Sequence, residues 1–321
     1  KCSLVWAIES NKKEELNSFE EVKKGILFII LSGICFLVVN YFVKLFGQSG
    51  DTEFISYKVQ FIPAHELVLA RSLVSFVLSS MIIKYRGYGF FGVNKKWLLI
   101  RGISGTVALT IFFMTIQHLP FAIAAVIQYL APIFTMLFTM LLIGDRIFKV
   151  QWLFVAFAFI GVALISLQDI LSNNNTLSID YLWLGLGMFS ASISGIAYTA
   201  IVKLKSTDHP INIVLYFPMV SIPFMVIWCL FDYVHPVGIE WLFLLIIGVF
   251  TQFAQILLTK ALHYGHASVI APFQYLGIIY ALLIGLFIFD ERLNLIVYVG
   301  VFLILTGVLL NTIYRHLNTK T

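Results

Sequence analysis

Arg71 lies about eight residues into a long apolar run, too deep for its side chain to reach either water layer comfortably. A charge at bilayer depth is costly, so it marks a functional position by default. Two readings fit. Arg71 is a cation that meets an anionic group of a substrate or a gating carboxylate, or it pairs structurally with Glu66 or with the carbonyls of a broken helix. The spacing works against a neat Glu66 pair, because five residues turn a helix by about 500° and leave the side chains about 140° apart. Glu66 follows Pro63 in a first helical turn, where an acid complements the dipole; a gating or proton-coupled role is its other reading. Arg101 sits about one turn inside the end of its run. It reads as a snorkelling anchor or as a gating or coupling charge.

The uncharged polar residues carry a second signal. Gln128-Tyr129-Leu130 recurs 146 residues later as Gln274-Tyr275-Leu276. At the same offset Gly102 falls on Gly248, Asp145-Arg146 on Glu291-Arg292, and Gly161-Val162 on Gly307-Val308. Buried amides must bond something, so Gln128 and Gln274 either line a cavity or form a symmetric interhelical bond. Tyr129 and Tyr275 beside them are substrate contacts or packing. Pro132 and Pro272 interrupt the helical ladder and can free carbonyls for a ligand, or are merely tolerated. Asn40, Tyr198, Gln252 and Gln255 complete the candidate substrate-binding set. Glycines 102, 105 and 195 read as positions where backbones approach closely.

Composition fixes the solvent of these residues. The chain has 321 residues, 60% hydrophobic and 12% charged, with mean hydropathy +0.95. Soluble domains carry roughly 25% charged residues, so this chain needs a bilayer around it. Cys2, Cys35 and Cys229 are scattered and form neither a disulfide framework nor a metal site. The histidines fall near run ends or in loops, with no catalytic cluster, so no catalytic residue, metal or cofactor is expected. No Walker A loop is present to drive an ATP pump. A membrane-embedded enzyme and a non-transporting receptor or assembly subunit remain the alternatives to a transporter.

Ten windows are long and apolar enough to span a membrane: 25–46, 64–83, 97–118, 122–143, 149–168, 181–203, 211–231, 240–260, 267–289 and 294–314. Residues 1–24 read as a polar cytoplasmic segment, not a cleavable signal peptide, because their apolar run is too short. With the N-terminus inside, the outside loops hold only Lys58 and Arg292, and the inside segments collect the other loop and terminal cations. Both termini are therefore expected in the cytoplasm. The organisation is a first repeat over 25–168, an outside linker over 169–180, a second repeat over 181–314 and a tail over 315–321. Each repeat has five helices, an odd number, so the copies enter the membrane from opposite sides. The fold class is an all-α polytopic membrane protein of ten transmembrane helices in two inverted five-helix repeats.

Several short motifs resemble the EamA-like permeases of the drug/metabolite transporter superfamily. The segment Ile116-Gln117-His118-Leu119-Pro120-Phe121-Ala122 is similar to that family's join between third and fourth helices. Ala131-Pro132-Ile133-Phe134 resembles its fourth helix, and Gly144-Asp145-Arg146 the ending, repeated in Asp290-Glu291-Arg292. Glu66 and Arg71, with Arg101-Gly102 and Gly105, resemble a subgroup related to S-adenosylmethionine carriers. The resemblance implies a central cavity lined by helices one to four and six to nine, with five and ten outside it. It implies a permease for a small organic metabolite; the inverted symmetry of the repeats points to alternating access, and Arg71 to an anionic or zwitterionic substrate. It does not fix the substrate. The expected setting is a bacterial inner membrane, as a monomer or homodimer, with the lipid bilayer as partner and no nucleic acid.

Overall fold

The structure, a computed structural model, describes residues 2–47, 59–144, 148–171, 180–264, 273 and 275–318. The elements are α1 (Cys2–Gly47), α2 (Ala64–Arg86), α3 (Lys95–His118), α4 (Phe121–Gln128), α5 (Ala131–Ile143), α6 (Lys149–Leu171), α7 (Tyr181–Leu204), α8 (Pro210–Cys229), α9 (Glu240–Tyr264), α10 (Leu276–Phe287) and α11 (Leu295–Asn318). Among the described residues, seven helical segments are long and apolar enough to cross a bilayer. Shorter apolar helices lie at Lys149–Ile165, Leu276–Phe287 and Leu295–Asn311. Large apolar side chains cover the outside, with Leu182 66% and Phe302 65% exposed. In water such a surface would aggregate; in lipid it is the solvated face. The chain is an α-helical polytopic membrane protein.

Local signals set the helix ends. Pro63 precedes α2, Glu66 lies in its first turn, and Lys84 and Arg86 lie in its last. Gly87 closes it at φ 68°, a left-handed conformation that glycine adopts without a Cβ penalty. The Asn94 side chain caps α3 by accepting from the Trp97 N–H. Asp180 caps α7 through Leu182. Pro210 opens α8 at its first turn.

The fourth expected span is not one continuous helix. It breaks at Tyr129 and Leu130, between α4 and α5. Pro132 has no N–H to offer the Gln128 carbonyl, and the Ile133 N–H turns to Leu130 O instead. The first helix also runs longer than its window, because α1 takes in most of the polar segment before residue 25. The ninth window begins earlier than the described α10, and Pro272 and Gln274 lie outside the described residues.

Neighbours pack in a repeating pattern. α1 packs on α9, as α3 packs on α7; α2 faces α8, and α4 faces α10. α6 and α11 form a close pair of their own. A Cβ on Gly161 would stand 2.5 Å from Gly300 O, and one on Gly300 2.7 Å from Gly161 O. Two backbones in such contact exclude any larger residue, which is how small residues join helices in lipid. Gln151 and Asn311, both buried, bond across the same interface at 2.9 Å.

Candidate functional site

A cavity of about 200 Å³ lies among the helices. Its described lining comes from α1 to α5, with Tyr129 between α4 and α5, and from α7 to α10; α6 and α11 contribute nothing. The volume is below the roughly 300–1,000 Å³ of pockets for drug-sized ligands, so it suits a small metabolite.

Two cations face it. Arg71 on α2 is 2% exposed and Arg101 on α3 is 6% exposed. The Arg71 guanidinium carbon stands 5.0 Å from the Phe217 ring centroid and 5.7 Å from that of Phe113. Arg101 stands 5.8 Å from the same Phe217 ring. The two guanidinium groups therefore converge on one α8 phenylalanine, within cation–π range. Room for Arg101 is made by Gly105, where a Cβ would overlap the guanidinium. Arg101 is thus buried beside the cavity and does not extend to the interface. Arg71 makes no pair with Glu66, whose Oε1 accepts from the Val234 N–H at 2.6 Å in the loop after α8.

Around the cations stand neutral polar groups. Asn40, Gln128, Tyr129, Tyr198 and Gln255 all line the cavity, as does Pro132. Gln128 is oriented from α7: its Nε2 donates to Ser194 Oγ at 2.8 Å, and its Oε1 accepts from Ser190 Oγ at 3.4 Å. Tyr198 lies within electrostatic reach of both arginines. Tyr129 approaches α10 at Gly277, where a side chain would collide with the phenol.

Other sequence candidates are placed elsewhere. Gln252 is held across the α2–α9 interface, accepting from Ser75 Oγ and donating to Ser79 Oγ at 2.9 Å. Tyr275 is buried, with its ring centroid 5.7 Å from that of Tyr129, but is not part of the cavity wall. Glu66 sits at a helix end away from it.

Two polar clusters that sequence reasoning passed over lie at the ends of the bundle. At one end Glu291 receives the Phe121 N–H at 2.6 Å and the Ala122 N–H at 3.2 Å, so it caps α4 from the loop before α11. Lys44 on α1 donates to Leu119 O at 2.6 Å and lies 4.0 Å from the Glu291 carboxylate. Burial pushes the Glu291 carboxyl up, against the two N–H groups and the Lys44 charge, which favour the carboxylate. At the same end Gln60 bonds Glu240 twice, at 2.8 Å each, and His65 Nε2 donates to Asp232 O at 2.7 Å. At the other end Asp208 accepts from the Val93 N–H at 2.5 Å and the Asn94 N–H at 3.2 Å, while Asn212 donates to Gly89 O at 2.8 Å. The repeated Asp290-Glu291-Arg292 was the one sequence signal for Glu291. Asp290 there takes φ 47°, the left-handed turn that Gly144 makes 146 residues earlier at φ 87°.

The EamA-like transporter family matches residues 23–167 and again 181–313. The pseudopaline exporter CntI of Pseudomonas aeruginosa is 29% identical over 81% of this chain and 85% of its own length. Solute carrier family 35 member G1 of Homo sapiens is 27% identical over 83% of this chain and 73% of its own. A solved crystal structure aligns at TM-score 0.60 and 15% identity, covering 93% of this chain and 99% of that one, which extends the likeness to the fold. The chain belongs to the EamA-like transporter family: it is a membrane transporter and not an enzyme.

Proposed function

We propose that the protein is a secondary transporter that moves a small organic metabolite across the membrane by alternating access. The ten spans form two inverted five-helix repeats, with both termini cytoplasmic, in a bacterial inner membrane. The substrate binds in the cavity between the repeats. The observation that carries this reading is the lining: Arg71, Arg101, Gln128 and Tyr129 from the first half meet Tyr198, Phe217 and Gln255 from the second around one space. A site shared by two halves changes its exposure when the halves rock against each other. The doubled family match and the helix pairing support the repeat: α1 on α9 corresponds to α7 on α3. The break at Tyr129–Leu130 supports a midplane site, because discontinuous helices present backbone groups there. Asn40 and Pro132 belong to the same wall. Glu66 is a support of the loop after α8 rather than a coupling acid, since its carboxylate is held by Val234.

The test is a cysteine at position 194, on the cavity wall, in a background lacking Cys2, Cys35 and Cys229. A membrane-impermeant thiol reagent is applied to sealed vesicles of either orientation. Ser194→Cys reacts from both sides, and adding Ala197→Trp protects it from both. Reaction from one side alone would refute alternating access.

A further inference from the structure

The two arginines carry more than membership of a cavity wall. A guanidinium stays protonated in a protein and has donors but no acceptor, so burial leaves it a charge to be answered. Among the described residues neither Arg71 nor Arg101 has a hydrogen bond or an ion pair, and the Nε of each is buried without a partner. No carboxylate is among the described lining. The two cations also lie close enough to repel each other. Phe217 gives both a polarisable face and Phe113 gives Arg71 a second, but a ring carries no net negative charge. The fold therefore concentrates two positive charges where water is scarce and supplies no negative one. Buried charges persist when they are paired. Here the counter-charge has to arrive with the ligand.

The chemistry of that ligand follows from the wall. The planar fork of an arginine matches carboxylate and phosphate oxygens. Two forks on one ring suit either one doubly charged group or two acidic groups on a short body. Phe112, Phe113 and Phe217 cover apolar atoms, and Gln128 and Tyr198 serve hydroxyl or amide groups. Resting on the reading of this cavity as the substrate site, we propose that Arg71 and Arg101 form a two-charge anion receptor. The transported metabolite is then a small organic dianion, a dicarboxylate or a phosphate ester. A sulfonium or ammonium cation is rejected by the same charges.

The experiment uses the full chain in uncharged detergent, with thermal unfolding and titration calorimetry. The probes are succinate against succinamide, glycerol 3-phosphate against glycerol, inorganic phosphate, and trimethylsulfonium. The dianions raise Tm and bind; the neutral isosteres and the cation do not. Arg71→Met and Arg101→Met each weaken dianion binding about 10–100-fold, the range for a lost charge-assisted hydrogen bond. The same variants raise the Tm of the ligand-free protein, because each removes an unanswered buried charge. A merely structural arginine gives the opposite: a lower ligand-free Tm and an unchanged response to dianions, which overturns the proposal. Nanodiscs with and without phosphatidylglycerol separate the two sources of anion. If the lipid headgroup alone engages the arginines and no soluble dianion binds, the proposal falls. Transport of a neutral probe that Ala197→Trp blocks would also overturn it while leaving the transporter reading intact. Arginine-dependent dianion binding without flux would do the reverse.

Discussion

Gly277→Ala is a direct test of how the cavity wall is built. Gly277 lies in the first turn of α10, and its missing side chain is the space that the Tyr129 hydroxyl occupies. A Cβ there would fall well inside 3.0 Å of the phenol oxygen, a separation real Cβ atoms do not adopt, so the hydroxyl must retreat by about an ångström or more. The ring is rigid, so the retreat moves the whole Tyr129 side chain, which also lines the cavity. Overpacking of this kind costs about 1–3 kcal/mol. For a domain of a few hundred residues that lowers Tm by on the order of 2–8 °C. The control comes from the same geometry. With Tyr129→Phe the next atom is Cζ, 3.1 Å from the added Cβ, which a shift of a few tenths of an ångström relieves. Tyr129→Phe alone therefore changes Tm little, and the double variant recovers most of the loss. Unfolding in detergent is the assay, because Tyr129 also lines the cavity and flux would mix two effects. If the two losses add, with no coupling in the cycle, Gly277 is not there for Tyr129 and the reasoning fails.

Two further outcomes are expected. Because burial raises the Glu291 carboxyl above its ordinary 4.5, the folded chain holds that proton more tightly than the unfolded chain. Its contribution is then fully present below about pH 4.5 and is lost as pH rises through the folded value; Glu291→Gln flattens that segment of the Tm–pH profile, and superimposable profiles would refute it. Asp208→Ala frees the loop at Val93 and Asn94, and Glu240→Ala frees Gln60 at the opposite end. The two variants shift labelling of Ser194→Cys toward opposite faces of the membrane; a shift in the same direction would count against two separate closures.

Much of the architecture is written in composition. Apolar runs of span length leave little choice in lipid, where every backbone group must be satisfied within the helix. The break in the fourth span has a visible cause in Pro132. What periodicity does not convey is which face of each helix turns inward. Gln252 and Gln255 are three residues apart and about 60° apart around α9. One is taken by the α2 serines and the other reaches the cavity. Arg71 and Arg101 are each conspicuous in sequence, but their convergence on Phe217 depends on how three separate spans cross. Glu291 looks like an exposed loop acid, and only tertiary packing reveals that it caps a helix 170 residues away in the chain.

The two ends of the bundle are tied by the same chemistry, and that bears on the proposed transport cycle. Glu240 stands 146 residues after Asn94, and Val234 the same distance after Tyr88, next to Gly89. At one end Gln60 meets Glu240 and Glu66 meets Val234; at the other Asp208 meets Asn94 and Asn212 meets Gly89. Each end thus ties residues just before and in the first turn of one helix to the start of another helix and the loop leading to it. Hydrogen bonds to charged groups are worth about 1.5–3 kcal/mol each, so a closure lacking its counterpart would bias the protein heavily to one state. In the proposed alternating-access cycle, matched ties would keep the two states within a few kcal/mol, where ligand binding can shift the balance.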